Sequence, residues 1–212
     1  MEQNQKAMYS LIDSKVHGFD ISGAIDDIEK ISDHAKKDKD FISFLKTSKA
    51  GLFYQGSLHF YIPSSNYKYF DFQFMNTLLK KKYPNVNNYD FIGQDLFGNQ
   101  VAFSEAGLVL FQIETGDIDQ ICSNFRELVD LIGSDVYYYT GLNLLEEWLE
   151  DGNTLSPSER LCPKFPFVLG GDYVIDNLYA KDTIDNITFN SILAKQIKDA
   201  PDGTKFSIDI LS

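Results

Sequence analysis

The chain is short of several things. It has two cysteines in 212 residues, Cys122 and Cys162, and no Cys-x-x-Cys spacing. That argues against a secreted disulfide framework. Histidine is scarce: His17, His34 and His59 are scattered, with neither His-x-x-x-His nor His-Glu-x-x-His spacing, so no metal site is expected. No apolar run is long enough to cross a bilayer, and Met1 to Ser14 is polar with no apolar h-region. A cytoplasmic location and no membrane partner are expected. Positive charge is scarce as well, 19 Lys and Arg against 31 Asp and Glu, a formal net charge of −12. Phosphate backbones are held by clustered Lys and Arg, so direct nucleic-acid binding is not expected. An acidic surface suits a basic partner protein, and it also keeps a protein soluble. There is no Gly-x-Ser-x-Gly elbow, no Gly-x-Gly-x-x-Gly and no Gly-x-x-x-x-Gly-Lys-Ser/Thr. No catalytic residue set and no cofactor are expected, and enzyme is the minority class.

Aromatics are plentiful, with 17 Phe and 12 Tyr, so a chain of this length can bury a sizeable core as one domain over residues 1–212. The stretch Phe91 to Ile132 organises it. Phe97-Gly98-Asn99 and Ser104-Glu105-Ala106-Gly107 are turns between strands, because Gly and Asn tolerate positive φ. Leu108-Val109-Leu110-Phe111 is apolar on both sides, as in a central strand covered on both faces. From Ile118 the residues Ile118, Ile121, Cys122, Phe125, Leu128, Val129 and Ile132 fall on one helical stripe. Asp117 with Gln120 then reads as its capping box, Gly133 as its stop, and Cys122 as a small core hydrophobe.

Residues 1–18 have weak periodicity and are expected to fray. Asp20 reads as the cap of a helix with Ile21, Ile25, Ile28 and Ile31 on one face. Lys36 to Asp40 is a mixed charge run, expected as a solvated connection, and Phe41 to Leu45 is ambiguous. Gly51 to Ile62 reads as two short strands or one bulged strand. Residues 65–83 read as a helix, since Met75 to Lys82 are good helix formers and Lys80-Lys81-Lys82 suits a C-terminus. Val136 to Tyr139 is a short apolar segment. Leu142, Leu145 and Leu149 mark a further helix, broken at Asp151-Gly152-Asn153. Ser156 to Pro163 reads as an irregular connection.

In Phe165 to Tyr173 the pair Gly170-Gly171 implies close backbone approach or positive φ. Asn186 to Lys198 is a helix with Phe189, Leu193 and Ile197 in register. Pro201-Asp202-Gly203 is a turn, and Thr204 to Leu211 alternates like a last strand.

The wording of these segments resembles the SMI1/KNR4 (SUKH) superfamily of bacterial proteins. The carrying residues are Asp95 to Gln100, Gly107-Leu108-Val109, Thr115-Gly116-Asp117 leading to Phe125 to Leu128, Phe167 to Tyr173 with Asn177-Leu178-Tyr179, and Leu193 to Gly203. They span roughly residues 88–211, whereas residues 1–60 match poorly. Domains of the DUF1851 type share the same turn, strand and helix pattern. The resemblance implies an α+β fold with a central, mostly antiparallel sheet flanked by helices. It implies a non-enzymatic immunity protein that binds and neutralises a cognate toxin, often a nuclease. The contact charge expected for such a partner with a basic surface is Glu146, Glu147, Glu150 and Asp151, with Asp172. Each also reads as ordinary solvated surface. The alternative is a small-molecule-binding or enzymatic domain using the Gly170-Gly171 loop. A buried polar pocket beside that loop favours the alternative; a grooved acidic face favours the partner protein.

Overall fold

Short apolar strands joined by Gly- and Asn-bearing turns pair in chain order. In the computed structural model of the chain, residues 2–16, 27–48, 50–201 and 204 are described. Strands β1 (Gly51–Phe53), β2 (Leu58–Phe60), β3 (Asp90–Gln94), β4 (Gln100–Ser104), β5 (Gly107–Phe111) and β6 (Ile118–Cys122) form one antiparallel sheet in the order β1-β2-β3-β4-β5-β6. A hairpin of β7 (Glu159–Pro163) and β8 (Leu178–Asp182) stands apart from it. The helices among the described residues are α1 (Glu2–Asp13), α2 (Asp33–Lys37), α3 (Lys39–Ser48), α4 (Phe72–Lys82), α5 (Phe125–Ser134), α6 (Val136–Thr140), α7 (Leu142–Glu150) and α8 (Thr183–Asp199). The fold is α+β, as the sequence leads one to expect. Among the described residues no helix is long and apolar enough to cross a membrane.

Residues paired across the ladders share a face of the sheet. The row Phe60, Gly93, Val101, Leu110, Asp119 lies on one side, and the row His59, Gln94, Gln100, Phe111, Ile118 on the other. On the first side Phe41 and Phe44 of α3 and Phe125 of α5 meet Phe53, Phe60 and Phe103, with ring centroids 5.0–5.8 Å apart. Phe44 touches three of those rings, and truncating it to alanine should cost about 3–5 kcal/mol. On the second side α4 supplies Met75 and Leu79, and Tyr83 just after it packs against Phe111 at 4.8 Å. Asn76 of α4 seals the contact, its amide bonding both the Phe91 N–H and the Phe91 carbonyl.

Several expectations need correction. The stripe from Ile118 is not one helix. Ile118 to Cys122 is β6, and α5 starts at Phe125, capped by Asn124, whose side chain accepts from the Glu127 N–H while Glu127 accepts from the Ser123 N–H. Ile118, Ile121 and Phe125 keep helical spacing, but pairing with β5 overrides that period and selects the strand. Gly133 does not stop α5, which runs to Ser134. Cys122 is half-buried on β6 rather than in a helix core, its thiol pushed up to about 11, chiefly by burial. Residues 2–13 do not fray but form α1, because Leu11 is buried and Ala7, Met8 and Ile12 pack on the same core. Asp20, Ile21 and Ile25 lie outside the described residues, and Ile28–Lys30 is a single 3-10 turn. Lys36 to Asp40 is a connection, the α2–α3 junction, with Lys37 and Lys39 exposed as expected but Asp38 half-buried and hydrogen-bonded. Ser156 to Pro163 is irregular only at its start, since Glu159–Pro163 is β7, a pairing decided by residues about twenty positions away. The strand expected over 204–211 falls outside the described residues apart from Thr204.

Candidate functional site

The helices α1, α3 and α5 cover only part of their face of the sheet. The remainder is the floor of a cleft of about 700 Å³. Leu58, Val101 and Leu110 form the floor, with Asp119 and Ile121 of β6 at one side and Leu128 and Ile132 of α5 beside them. The wall is aromatic: Tyr137, Tyr138 and Tyr139 of α6, with Phe97 and Tyr173. Tyr138 is 79% exposed and Tyr173 62%, far more than a side chain serving only the fold needs. Short α6 is aimed here because Asp135 caps it, accepting from the Tyr138 N–H at 3.0 Å, and Gly141 ends it at φ +75°. A Cβ at Gly141 would meet the Phe97 ring at 2.9 Å, so that glycine sets the width of the wall.

Among the described residues, Asp95 and Asp119 are the only charged side chains lining the cleft. Asp95 builds the expected turn, accepting from the Phe97 N–H at 2.9 Å, the Asn99 N–H at 2.8 Å and the Asn99 side-chain amide at 2.9 Å. Gly98 takes φ +94° within it. Burial pushes the Asp95 carboxyl up to about 6, against those hydrogen bonds, which favour its charged form.

A smaller pocket of about 180 Å³ lies on the other side of Phe97 and Tyr173, lined by Asn99, Gln112, Glu114, Thr115 and Asn190 among others. Tyr173 stacks on Phe167 at 3.8 Å, and Phe97 meets both rings edge-on. The Gly170-Gly171 loop borders this pocket, and both readings of its glycines hold. Gly170 has φ +97°, and a Cβ at Gly171 would lie 1.9 Å from the Phe165 carbonyl oxygen. The amides of this loop are already engaged. Glu114 accepts from the Phe167 and Val168 N–H groups at 3.3 and 2.8 Å, while the N–H groups of residues 169 and 171 bond the Pro166 carbonyl and that of Gly170 bonds the Phe167 carbonyl. Burial raises the Glu114 carboxyl above its ordinary range.

The acidic residues singled out in the sequence do not converge on one point. Glu146 is half-buried and accepts from the Gln55 side-chain amide at 3.2 Å. Glu147, Glu150 and Asp151 are exposed on the outer side and C-terminal end of α7, on the helical stripe that begins at cleft-lining Asn143. Asp172 is exposed beside Tyr173. The tyrosine wall and the pair Asp95 and Asp119 were not anticipated as a site. The available signal was the tract Tyr137-Tyr138-Tyr139, too polar at its hydroxyls to be purely core.

The second face of the sheet carries a buried polar row that sequence reasoning also missed. The His59 Nδ1 accepts from the Arg160 guanidinium at 2.8 Å and from the Gln94 amide at 3.1 Å; Gln94 accepts from Gln100 at 3.2 Å, and Gln100 accepts from the Tyr61 hydroxyl at 2.6 Å. A guanidinium only donates, so Nδ1 is the acceptor and the ring proton sits on Nε2. All five side chains are buried. Burial, then the Arg160 charge, holds His59 well below 6.5, and burial lowers Arg160 to about 10. Arg160 thus ties β7 to β2 through neutral acceptors. Among the described residues no group of three His, Cys, Asp or Glu is placed to hold a metal ion.

No protein-family model matches the chain, and no curated protein matches it. Its fold is similar to that in the crystal structure of Atu4351 from Agrobacterium tumefaciens, with a TM-score of 0.61 and 16% sequence identity over 90% of this chain and 88% of that one. At that identity the likeness extends to the fold alone.

Proposed function

We propose that this chain is a non-enzymatic immunity-type protein that binds a basic toxin and occludes it. One observation carries the reading: the cleft is lined mostly by residues of the segment that holds the net charge, and its carboxylates Asp95 and Asp119 stand among exposed tyrosines. Residues 83–159 contain fourteen Asp and Glu and a single basic residue, Arg126, whereas the rest of the chain is nearly balanced, with seventeen acids and eighteen bases. Arg126 itself pairs with Asp40 at 2.9 Å. Exposed tyrosines beside carboxylates give large, rigid contact area with charge complementarity to a cationic groove, which speeds association and selects the partner. The SUKH-like wording of the sequence supports the same reading. Toxin and immunity protein would meet in the cytoplasm.

The test is genetic, then biophysical. The adjacent upstream reading frame is expected to encode a large secreted protein with a C-terminal toxin module. Co-expression of this chain should restore growth of cells producing that module. The purified pair should bind with an affinity that falls roughly tenfold as salt rises from about 50 to about 200 mM. A module that kills equally well in the presence of this chain refutes the reading.

The small polar pocket beside the Gly170-Gly171 loop favours a second reading, a site for a small polar molecule. Its volume is below the roughly 300–1,000 Å³ usual for drug-sized ligands, and the engaged amides at 167–171 leave it no phosphate cradle. Screening small polar metabolites for a thermal shift that Glu114→Gln abolishes would establish it.

A further inference from the structure

The sheet has two edges, and they are treated differently. The chain covers β1 itself: Lys15 bridges to Phe53, the Val16 N–H donates to the Leu52 carbonyl at 2.9 Å, and the Tyr54 N–H donates to the Ser14 carbonyl at 3.0 Å. β6 pairs with β5 and has no second strand partner among the described residues. The Gln112 N–H donates to the Asp117 carbonyl at 2.9 Å, which sets the phase of the ladder. By antiparallel alternation Asp119 then bonds Leu110, and Ile118 and Gln120 turn their N–H and C=O groups away from β5. The register slips between Gln120 and Cys122, so the usable edge ends there. Natural edge strands are commonly guarded by lysine or proline. β6 has neither; its guards are the bulge at its end and the exposed carboxylates of Asp119 and, just before it, Asp117, which repel an acidic strand and not a cationic one.

We propose that β6 is a docking strand: it takes an extended, lysine- or arginine-bearing segment of a partner protein as a seventh strand. This rests on the partner-binding reading above and names how the partner is held. Two features select a cation-bearing segment over any other occupant. The surrounding stretch, residues 83–159, is acidic apart from Arg126. Side chains on an added strand also alternate, so every second one falls in the row Val101, Leu110, Asp119 and turns over the cleft. A cation there sits beside the Asp119 carboxylate and within reach of the tyrosine faces, which attract it through the ring quadrupole.

The probe is a capped hexapeptide of alternating lysine and valine, with a glutamate and valine peptide as control, added to the full chain. Amide hydrogen exchange is followed by NMR. At saturating lysine and valine peptide, the Ile118 and Gln120 amides should exchange at least about tenfold more slowly, with β1 unchanged, and the control should do nothing. Gln120→Pro removes an outward N–H and, with the side chain, the bonds to the Ala106 and Cys122 carbonyls; it should weaken peptide binding about tenfold or more relative to Gln120→Ala, which loses the same side-chain bonds and keeps the N–H. Should the proline variant not fold, the exchange measurement on the parent protein decides alone. Binding without protection of these two amides, equal binding by Gln120→Pro and Gln120→Ala, or no binding of the lysine peptide overturns the proposal. If a toxin is neutralised while the two amides stay unprotected in the complex, strand docking falls and the immunity reading stands. If the peptide protects the edge but no toxin is neutralised, the reverse holds.

Discussion

The carboxylate of Asp38 accepts the backbone N–H of Phe125 at 2.8 Å, across 87 residues of sequence, while its other oxygen accepts the Phe41 N–H at 2.9 Å. One side chain therefore caps α3 and satisfies the first free amide of α5. It locks the helix that carries Phe41 and Phe44 to the helix that closes the cleft. A helix cap is worth about 1 kcal/mol, and this one serves two helix ends. Asp38→Ala should therefore lower the unfolding free energy by about 2–3 kcal/mol in urea titration. Asp38→Asn, which keeps an acceptor, should lose about half as much. A loss under about 0.5 kcal/mol for Asp38→Ala would show that the double cap does not hold the helices.

Charge on α7 is expected to act in opposite directions on stability and on binding. Glu147 and Glu150 lie in its last turn, at the negative end of the helix, and that turn has no basic residue. Glu147→Lys and Glu150→Lys should each raise stability by a few tenths of a kcal/mol, up to about 1. The pair together should slow association with the basic partner and reduce its salt dependence. Unchanged association by stopped flow would remove this face from the interface.

His59 makes the protein sensitive to acid. In the native state its pKa lies well below 6.5 because burial and the Arg160 charge disfavour the imidazolium. The unfolded chain takes up that proton as the pH falls through 6.5, and the folded chain does not. The stability this group provides is thus complete above pH 6.5 and is lost below it, at up to about 1.4 kcal/mol per pH unit until the native imidazole titrates. His59→Gln keeps an acceptor for Arg160 and removes the titration. The unfolding free energies of parent and variant should converge between pH 6.5 and 5, and parallel curves would exclude the assignment.

Asp95 works with the opposite sign over an overlapping range. Its native pKa of about 6 lies above the ordinary 3.8, so the folded chain holds this proton more tightly than the unfolded one. The group costs stability above pH 6, and the cost fades as the pH falls towards 4. Relative to Asp95→Asn, the parent should gain about 1–3 kcal/mol between pH 7 and pH 4. Because His59 and Asp95 offset one another, the parent's own pH profile shows only their difference, and the two variants are needed to separate them.

Much of the fold can be read from local chemistry. The turns at Phe97-Gly98-Asn99 and Ser104 to Gly107 stand where Gly98 and Gly107 take positive φ. The helices ending at Lys82 and Glu150 stand where helix formers and a breaking Asp151-Gly152 put them. The candidate site was less visible. Its floor residues, Leu58, Val101 and Leu110, look like any core positions in one dimension. They line a cleft because no helix is laid over that part of the sheet, and nothing near them in the chain records this. Asp38 sits in a run of lysines and aspartates that reads as solvated, since its second partner lies on a helix 87 residues away.

Composition and short-range pattern were enough for the acidic character, the turn positions and the helices with a clean stripe, because each depends on neighbours within one or two turns of chain, while the α+β class was implied by the family resemblance. They could not settle whether Ile118 to Cys122 would wind or extend, that Arg160 would find His59 as its acceptor, or that Asp95 and Asp119 would line one cleft with a tyrosine wall. Those outcomes rest on pairing and burial between residues far apart in the chain. The free energy of such contacts exists only once the sheet has closed, so no local period carries it.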